Sequence, residues 1–504
     1  MRMKYPLSLM VFCLAGSILF SSCKQNSPKK PNIIIIYADD LGYGDIGVNG
    51  AVGVETPNID RLAAGGVNFT DAHCTAATCT PSRYSLLTGR YAFRDNAAIL
   101  PGDAGLIIKK DYETLPGVLQ KAGYFTGVVG KWHLGLGDGN INWNQKITPG
   151  PNEIGFDYSF LIPATGDRVP CVFVQNGEVV GLAEGDSLFV SYEEDLGGYP
   201  VGEEEPELLT MHPSKGHDNS IINGISRIGF MKGAESALWK DEDFPFVLIN
   251  QAKTFITESE EKPFFLYWAF HDIHVPRVPN EQFVGESTMG PRGDAIAQMD
   301  WCVGELLKYL NEEDLLTNTL IIFSSDNGPI LDDGYIDQAE ELLGDHHPAG
   351  MFSGGKYSML EGATRVPTIV SWPGVIESRT SDALLSQVDL MASLASLVNQ
   401  PLLTSSKMDS EDYLEAWLGH TQIGREFLLE EGFSLALRMK HWKYIKPFER
   451  PTPAWLEYKK VRTGLSGDPQ LYSLLKDPQE KENLAGIYSD TLAYMEQQLE
   501  SVMQ

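Results

Sequence analysis

The chain has 504 residues, of which 43% are hydrophobic, and it carries a formal net charge of −29. This composition excludes a disordered or fibrous protein, and the length allows one large domain plus a smaller one. The acidic charge argues against nucleic acid as a partner, and any anionic ligand must be attracted by a local cluster of cations.

The N-terminus has the pattern of an export signal. It begins MRMKYPLSLMVFCLAGSILFSSC, with a basic start, an apolar run and small residues before Cys23. The run is too short to favour a membrane-spanning helix. The small residues before Cys23 resemble a lipobox, in which a signal peptidase cuts before a cysteine that then receives lipid, although Phe20 replaces the usual Leu. We therefore predict a lipoprotein signal peptide over residues 1–22 and a flexible tether over 23–31.

The tether, KQNSPKK, is basic where surface-displayed lipoproteins usually carry an acidic stretch. This favours an exported bacterial lipoprotein, anchored in the membrane by lipid and facing the periplasm rather than the cell surface. The alternative is an ordinary secreted protein in which Cys23 is incidental. An oxidising compartment would also allow some of the later cysteines to pair, and these are Cys74, Cys79, Cys171 and Cys302.

Runs of strand-forming residues recur along the chain, and each ends in polar residues. The first, PNIIIIY at 31–37, is typical of a strand buried on both faces of a parallel sheet. Similar runs begin at Tyr124, Lys262 and Asn318. Helical stretches lie between them, the first with Thr56 as its predicted cap and Pro57 at its first position. This alternation predicts an α/β fold with a large, mostly parallel sheet flanked by helices.

The pattern changes near residue 410. Short strands in FLLEEGFSLALRMKHWKYIKP are followed by a final helix that includes LAYMEQQLESVM. We predict a catalytic α/β domain over 32–409 and a smaller C-terminal α+β domain with a short antiparallel sheet over 410–504.

Carboxylates follow two of the predicted strands. Asp39 and Asp40 come after the first strand, and Asp326 and Asn327 come after NTLIIFSS. Open α/β sheets place their sites at such strand ends, and ligation by oxygen alone suits Ca²⁺ or Mg²⁺ rather than zinc. Taken alone, each pair is more often a turn or a helix cap.

Residues 79–90 read CTPSRYSLLTGR and predict a short helix. Thr80 is the expected N-cap, Pro81 fits the first helical position and Gly89 ends the helix. Cys79 is thereby placed at a helix N-terminus, where free N–H groups and Arg83 favour an anion. Such surroundings would lower the pKa of the thiol, so a plain reactive cysteine is one interpretation.

The same stretch matches CxPSRxxxLTGR, the signature of type I sulfatases, in which a maturation enzyme oxidises the cysteine to formylglycine. The resemblance continues through GKWHLG, HDIHVP, SSDNG and GGKYSMLEGATRVP, in the order seen in arylsulfatase-like members of the alkaline phosphatase superfamily. Ala363 and Thr364 replace a further glycine of many relatives, and His274 lies in DIHVP where many have PHxP. The resemblance implies an alkaline phosphatase-like fold and a sulfuric ester hydrolase.

The resemblance also implies roles for individual residues. Formylglycine made from Cys79 would be the nucleophile, oriented and deprotonated by Arg83 and His133, with His274 as the general acid. Lys131 and Lys356 would bind the sulfate oxygens. A divalent cation, Ca²⁺ ahead of Mg²⁺, would be held by Asp39, Asp40, Cys79, Asp326 and Asn327. The remaining histidines are expected at the surface or at caps, and they are His73, His212, His271, His346, His347, His420 and His441.

The substrate is predicted from two irregular stretches, PATGDRVP and HPSKGHDNS. They resemble those of bacterial carbohydrate sulfatases that act on galactose or N-acetylgalactosamine 6-sulfate, usually on a terminal sugar. Asp167 and His217 would then bond the axial O4, with Arg168 on the same rim. A gluco-configured sugar would leave both unpaired at a cost of about 1–3 kcal/mol each. The alternative is that these loop residues only serve turns.

The predicted function is therefore release of sulfate from a sulfated glycan, with a sulfatase-maturating enzyme as a second partner. Three alternatives stay open. The enzyme could remove sulfate from another position or sugar, such as a 4-sulfate. It could be a phosphatase or phosphodiesterase of the same fold, although those usually present Ser or Thr without the CTPSR context. It could also be a glycan-binding lipoprotein whose Cys79 stays unmodified.

Overall fold

The computed structural model describes residues 1–3, 30–403 and 408–504. Cys23, most of the predicted signal peptide and most of the tether lie outside the described residues. Within the described ranges, no helix has the length and apolar character needed to cross a membrane.

The described part of the chain contains 20 strands and eight α-helices. The strands are β1 (Asn32–Ala38), β2 (Gly66–Phe69), β3 (Ala72–His73), β4 (Phe125–Lys131), β5 (Tyr158–Ile162), β6 (Val174–Gln175), β7 (Glu178–Val179), β8 (Leu188–Ser191), β9 (Ile221–Ile222), β10 (Ile225–Ser226), β11 (Phe230–Gly233), β12 (Phe264–Ala269), β13 (Thr319–Ser325), β14 (Thr368–Ser371), β15 (Arg379–Ser381), β16 (Leu385–Ser386), β17 (Leu428–Glu431), β18 (Leu435–Met439), β19 (Trp442–Ile445) and β20 (Gln470–Ser473). The helices are α1 (Pro57–Ala64), α2 (Cys79–Thr88), α3 (Leu115–Lys121), α4 (Phe244–Glu258), α5 (Gly290–Glu312), α6 (Leu390–Leu397), α7 (Leu414–Trp417) and α8 (Ser489–Met503).

Ten strands form one large sheet in the order β15-β2-β14-β13-β1-β12-β4-β5-β6-β7. Its centre, from β13 to β5, is parallel, whereas β14 runs antiparallel to both of its neighbours. Every residue of β1, β12 and β13 is buried, because helices and loops cover both faces. The mostly parallel sheet predicted from the alternating pattern is confirmed.

The register of the central strands brings four chain segments to one edge of the sheet. Ala38 at the end of β1 pairs with Ser325 at the end of β13, and Tyr37 pairs with Ala269 of β12. Ala269 in turn pairs with Gly130 of β4. The residues after these strands therefore leave the sheet side by side, which is where open α/β sheets build their sites.

The C-terminal part is a second, smaller sheet. Strands β17, β18, β19 and β20 are antiparallel neighbours in that order. Helix α8 places Met495 and Leu499 against this sheet, and Tyr91 and Val388 of the larger part complete the same apolar cluster. The predicted α+β character is confirmed, while the domain boundary at residue 410 stays a prediction.

The N-terminal caps of two helices differ from the prediction. Helix α1 begins at Pro57 as expected, but the Thr56 hydroxyl makes no capping bond and instead accepts from Gly47 N at 2.8 Å. Helix α2 begins at Cys79, two residues before the predicted start, with Thr78 as its cap residue. Thr80 lies inside the first turn, and its hydroxyl donates to the carbonyl of His133 at 2.9 Å. Cys79 still stands at the helix N-terminus, as predicted.

Candidate active site

Four oxygen-bearing side chains meet where β1 and β13 end. Asp39, Asp40, Asp326 and Asn327 are all fully buried. The Asn327 amide donates to Asp40 Oδ1 at 2.7 Å, and the backbone N–H of Asp40 donates to Asp326 Oδ1 at 3.3 Å. The convergence predicted from two strand ends is present in the structure.

These residues fit a hard divalent cation. Asp39 Oδ1 and Asn327 Oδ1 are buried and have no hydrogen-bond partner among the described residues, although a buried polar atom nearly always has one. Single ligand atoms of Asp39, Asp40 and His274 also lie within 4.8 Å of one another. Burial, followed by the charge of Asp326, raises the pKa of Asp39 well above its ordinary value. Carboxylate and amide oxygens are the donors that Ca²⁺ and Mg²⁺ take.

Three basic side chains surround this carboxylate group. Lys131 Nζ contacts Asp39, Arg83 Nε donates to Asp326 Oδ2 at 2.8 Å, and Lys356 Nζ lies 2.9 Å from Asp40 Oδ1. Burial would raise the pKa of Asp326, but Arg83, Lys131 and Lys356 together hold it below the ordinary value. The Arg83 guanidinium thus pairs with the carboxylates. The sequence analysis predicted instead that its positive charge would help to bind an anion beside Cys79.

Cys79 occupies the first turn of α2 and is 2% exposed. Burial raises the pKa of its thiol, and the opposing charges of Lys131 and Lys356 do not outweigh it. The lowered pKa expected of a reactive cysteine is therefore wrong for the unmodified residue. Desolvation disfavours the thiolate more than the helix terminus and the nearby cations favour it.

His133 is the partner of Cys79. Its Nδ1 lies 3.3 Å from the sulfur, and its Nε2 lies 2.9 Å from the carbonyl oxygen of Leu100. A carbonyl only accepts, so Nε2 carries the proton and Nδ1 presents a lone pair to position 79. Burial and then the charge of Lys131 lower the pKa of His133 well below its ordinary value, which keeps the ring neutral. His133 can therefore accept a proton from a group at position 79.

His274 lies in the segment after β12, and its Nε2 faces the carboxylates of the site. Its Nδ1 lies 2.7 Å from the carbonyl oxygen of Val275, while Nε2 lies 3.8 Å from Asp40 and 3.9 Å from Asp333. Burial, then Lys356 and Lys131, lower the pKa of His274 well below its ordinary value. The predicted general acid is thus neutral here, and the negative charge of a bound sulfate ester would raise its pKa.

Asp333 is a site residue that the sequence analysis missed. Its Oδ2 lies 2.8 Å from Lys356 Nζ, and its Oδ1 lies 2.6 Å from Lys459 Nζ. The Tyr357 hydroxyl donates to it at 3.2 Å. Asp333 belongs to no motif, and Lys459 lies more than 100 positions away in the chain, so no local pattern could have paired them.

A second polar group lies near Cys79. His217 Nε2 is 2.9 Å from Asp167 Oδ2, and Arg168 is also 2.9 Å from that oxygen. Burial would raise the pKa of Asp167, but Arg168 and His217 hold it well below the ordinary value, so the carboxylate is ionised. Two stretches about 50 positions apart thus form one polar group, which turn formation alone would not require.

Several site residues adopt a left-handed backbone. The φ angles are 59° for Asp40, 53° for His133, 59° for His217 and 69° for Tyr357. Each such conformation costs about 1–2 kcal/mol for a residue other than glycine. Strain of this kind concentrates at functional sites, where the surrounding packing enforces it.

A cavity of about 540 Å³ opens over these residues. Its walls include seven of the residues predicted for the site, namely Cys79, His133, Asp167, Arg168, His217, His274 and Lys356. The other six lie off this wall, and they are Asp39, Asp40, Arg83, Lys131, Asp326 and Asn327. The cavity volume suits a small ligand such as a sugar ring.

Other sequence expectations have different outcomes. His73, His271 and His346 are buried, so these three do not lie at the surface, which was one of the two settings expected for them. Arg365 of the EGATRVP motif lies away from the cavity, bound to Glu361 at 2.6 Å and Asp71 at 2.7 Å. The four described cysteines that the sequence left open to pairing carry free, buried thiols, and they are Cys74, Cys79, Cys171 and Cys302.

Comparisons with known proteins agree with this geometry. A family model described as Sulfatase matches residues 31–400. N-acetylgalactosamine-6-O-sulfatase of Bacteroides thetaiotaomicron is 50% identical over 501 residues, which cover 97% of this chain and 98% of that protein. Arylsulfatase A of Homo sapiens is 30% identical over 473 residues, covering 91% and 84%. A solved structure from work on glycosaminoglycan metabolism by Bacteroides thetaiotaomicron has a TM-score of 0.92 at 50% identity, covering 94% of this chain and 99% of that one.

Proposed function

The chain belongs to the sulfatase family and is a sulfuric ester hydrolase that releases sulfate from a sulfated glycan, and we propose that it removes the 6-O-sulfate of a terminal N-acetylgalactosamine or galactose. The observation that carries this substrate is the ionised Asp167, bonded to His217 at 2.9 Å on the wall of the cavity that also contains Cys79. The N-acetylgalactosamine-6-O-sulfatase with 50% identity supports the same choice.

We propose that Cys79 is converted to formylglycine by a maturation enzyme, as the family implies. The hydrated aldehyde would supply a nucleophilic hydroxyl, and its second hydroxyl would allow sulfate to be released. His133 Nδ1, 3.3 Å from the group at position 79, accepts a proton there. Lys356 lies on the cavity wall and binds sulfate oxygens, while Lys131, held by Asp39, adds positive charge from behind that wall.

The cation that the family implies would be held by Asp39, Asp40, Asp326 and Asn327, together with the modified residue 79. When bound it would supply positive charge that polarises a sulfate oxygen. We propose Ca²⁺ rather than Mg²⁺, because Ca²⁺ tolerates a flexible all-oxygen shell. Treatment with a chelator should abolish sulfate release, and Ca²⁺ should restore it better than Mg²⁺. Full activity after exhaustive chelation would contradict a metal at this site.

The nucleophile is tested by mass spectrometry of the peptide that contains Cys79. Protein made in its native host should show the aldehyde, and the Cys79→Ser variant should release no sulfate. An intact thiol in protein from that host would overturn the proposal and favour a site that binds glycan without modification. Expression in a host without a maturation enzyme is not a fair test.

The substrate is tested with 6-sulfated N-acetylgalactosamine, 6-sulfated N-acetylglucosamine and 4-sulfated N-acetylgalactosamine. We expect turnover of the first, and we expect Asp167→Asn to lower its kcat/KM by about tenfold to a hundredfold because the axial O4 loses an ionised acceptor. Asp195→Asn, an exposed carboxylate outside the cavity, is the matched control. Exclusive turnover of the 4-sulfate or of the gluco-configured sugar would refute the assignment of Asp167 and His217.

A further inference from the structure

The cavity wall extends beyond the polar residues to two exposed aromatic rings. Trp455 and Tyr458 both line it, and they are 42% and 52% exposed. Both rings come from the segment Ala454–Lys459, which precedes β20. The C-terminal part of the chain thus contributes an aromatic surface to the same cavity that contains Cys79.

The aromatic segment is fixed to the site although its rings are exposed. Leu456 is 2% exposed and packs in one apolar cluster with Ile330 and Tyr357. Lys459 Nζ lies 2.6 Å from Asp333, the carboxylate that also binds Lys356. The Trp455 ring packs edge-on against Tyr357 at a centroid distance of 5.1 Å. The segment and its Trp455 ring are therefore held in place before any ligand arrives, which reduces the entropy cost of binding one.

The positively charged side chain of Lys215 lies beside this aromatic surface. Lys215 is exposed and lines the cavity, and its Nζ lies 4.9 Å from the centroid of the Tyr458 ring. Lys215 forms no ion pair with any carboxylate of the described residues. In a chain with a net charge of −29, a lysine without a carboxylate partner at a cavity mouth is a local attractor for an anion.

We propose that Trp455, Tyr458 and Lys215 form a subsite for the sugar joined to the sulfated one, and that this second sugar carries an anionic group. This inference rests on the proposed function. Aromatic rings offer broad apolar faces to the C–H surface of a sugar, and the ammonium group of Lys215 would pair with a carboxylate or a sulfate on that sugar. A uronic acid supplies the first of these groups and a sulfated hexose the second.

The subsite is tested by binding and by turnover. Three disaccharides share a terminal 6-sulfated N-acetylgalactosamine, and their second sugar is a uronic acid, a sulfated hexose or a neutral hexose. Calorimetry with the Cys79→Ser variant measures affinity without turnover. We expect tighter binding of an acidic disaccharide than of the neutral one by about fivefold to tenfold, and Lys215→Met should remove this difference.

Stacking is tested separately in mature enzyme that carries no substitution at position 79. Tyr458→Ala should lower kcat/KM for all three disaccharides by about tenfold while leaving turnover of the 6-sulfated monosaccharide unchanged. Matched controls are Tyr494→Ala and Lys232→Met, which change an exposed tyrosine and an exposed lysine outside the cavity. Both controls should behave as wild type.

The outcomes separate the two proposals. No turnover of the 6-sulfated monosaccharide or of any of the three disaccharides by mature wild-type enzyme would refute the proposed function, whereas the affinity comparison would still decide the subsite. Equal affinity for acidic and neutral disaccharides, or equal loss on monosaccharide and disaccharide in Tyr458→Ala, would overturn the subsite. A preference for only one acidic disaccharide would identify which anion Lys215 binds.

Discussion

At the scale of single residues, Asp333 connects the two ends of the candidate site. It binds Lys356, which lies on the wall of the cavity that also contains Cys79, and Lys459, which anchors the aromatic segment. The two lysines hold the pKa of Asp333 below its ordinary value even though burial opposes ionisation. One carboxylate therefore orients a lysine ammonium group at each end of the cavity.

We predict that Asp333→Asn lowers kcat/KM for sulfate release by about tenfold or more, because Lys356 loses one of the two carboxylates that orient it. Steady-state kinetics on a 6-sulfated sugar measures this loss. Asp332→Asn is the matched control, since in the described part of the chain the neighbouring carboxylate accepts hydrogen bonds only from Ser214 and from Gly334 of its own turn. Wild-type kinetics in Asp333→Asn would show that Asp40 alone is sufficient to position Lys356.

At the scale of elements, α2 depends on how it ends. Gly89 adopts φ 63° at the C-terminus of the helix, and its N–H donates to the carbonyl of Ser85 at 2.9 Å. A side chain at this position would meet Met391 Sδ at 2.8 Å. The helix that presents Cys79 to the cavity is thus terminated by a residue that must lack a Cβ for two reasons, backbone conformation and space.

We predict that Gly89→Ala lowers the melting temperature more than Gly50→Ala does. Gly50 also has a left-handed backbone, at φ 96°, but open space surrounds its missing Cβ. The Gly50 variant therefore isolates the conformational cost of about 1–2 kcal/mol, and any excess in the Gly89 variant measures crowding against Met391. Thermal unfolding compares the two. Equal decreases in melting temperature in the two variants would mean that Met391 moves away from the new Cβ without a cost in stability.

At the scale of the whole molecule, buried charges join the large sheet to the small one. Glu361 lies 3.2 Å from Arg438 of β18 and 3.3 Å from Lys443 of β19. Lys443 also lies 2.6 Å from Glu430 of β17, and Glu480 accepts a bond from the Glu361 N–H at 2.7 Å. A buried network of this kind is costly to break, because any group left alone is an uncompensated charge.

We predict that Glu480→Gln makes the protein more stable at alkaline pH. Burial raises the pKa of Glu480 from 4.5 to about 8, so between these values the folded state keeps a proton that the unfolded state has lost. Stability therefore falls as pH rises through this window, and an uncharged side chain removes that fall.

Melting temperatures at pH 5 and pH 8.5 measure this effect, and the two proteins should differ at pH 8.5 while agreeing at pH 5. Glu482→Gln, an exposed carboxylate nearby, should follow wild type at both. Parallel pH profiles of wild type and Glu480→Gln would show that Glu480 is ionised in the folded protein.

The sequence alone determined the sheet, the carboxylates at its strand ends and the place of Cys79 at a helix N-terminus. These follow from local patterns of apolar and turn-forming residues and from motif resemblance, which need no knowledge of distant contacts. Only the tertiary structure decided that burial raises the pKa of Cys79, that Asp167 and His217 form one polar group and that Asp333 binds two lysines. Burial and pairing depend on residues far apart in the chain. The pKa of a group in the site is set by its burial together with the charges and hydrogen bonds of all these residues.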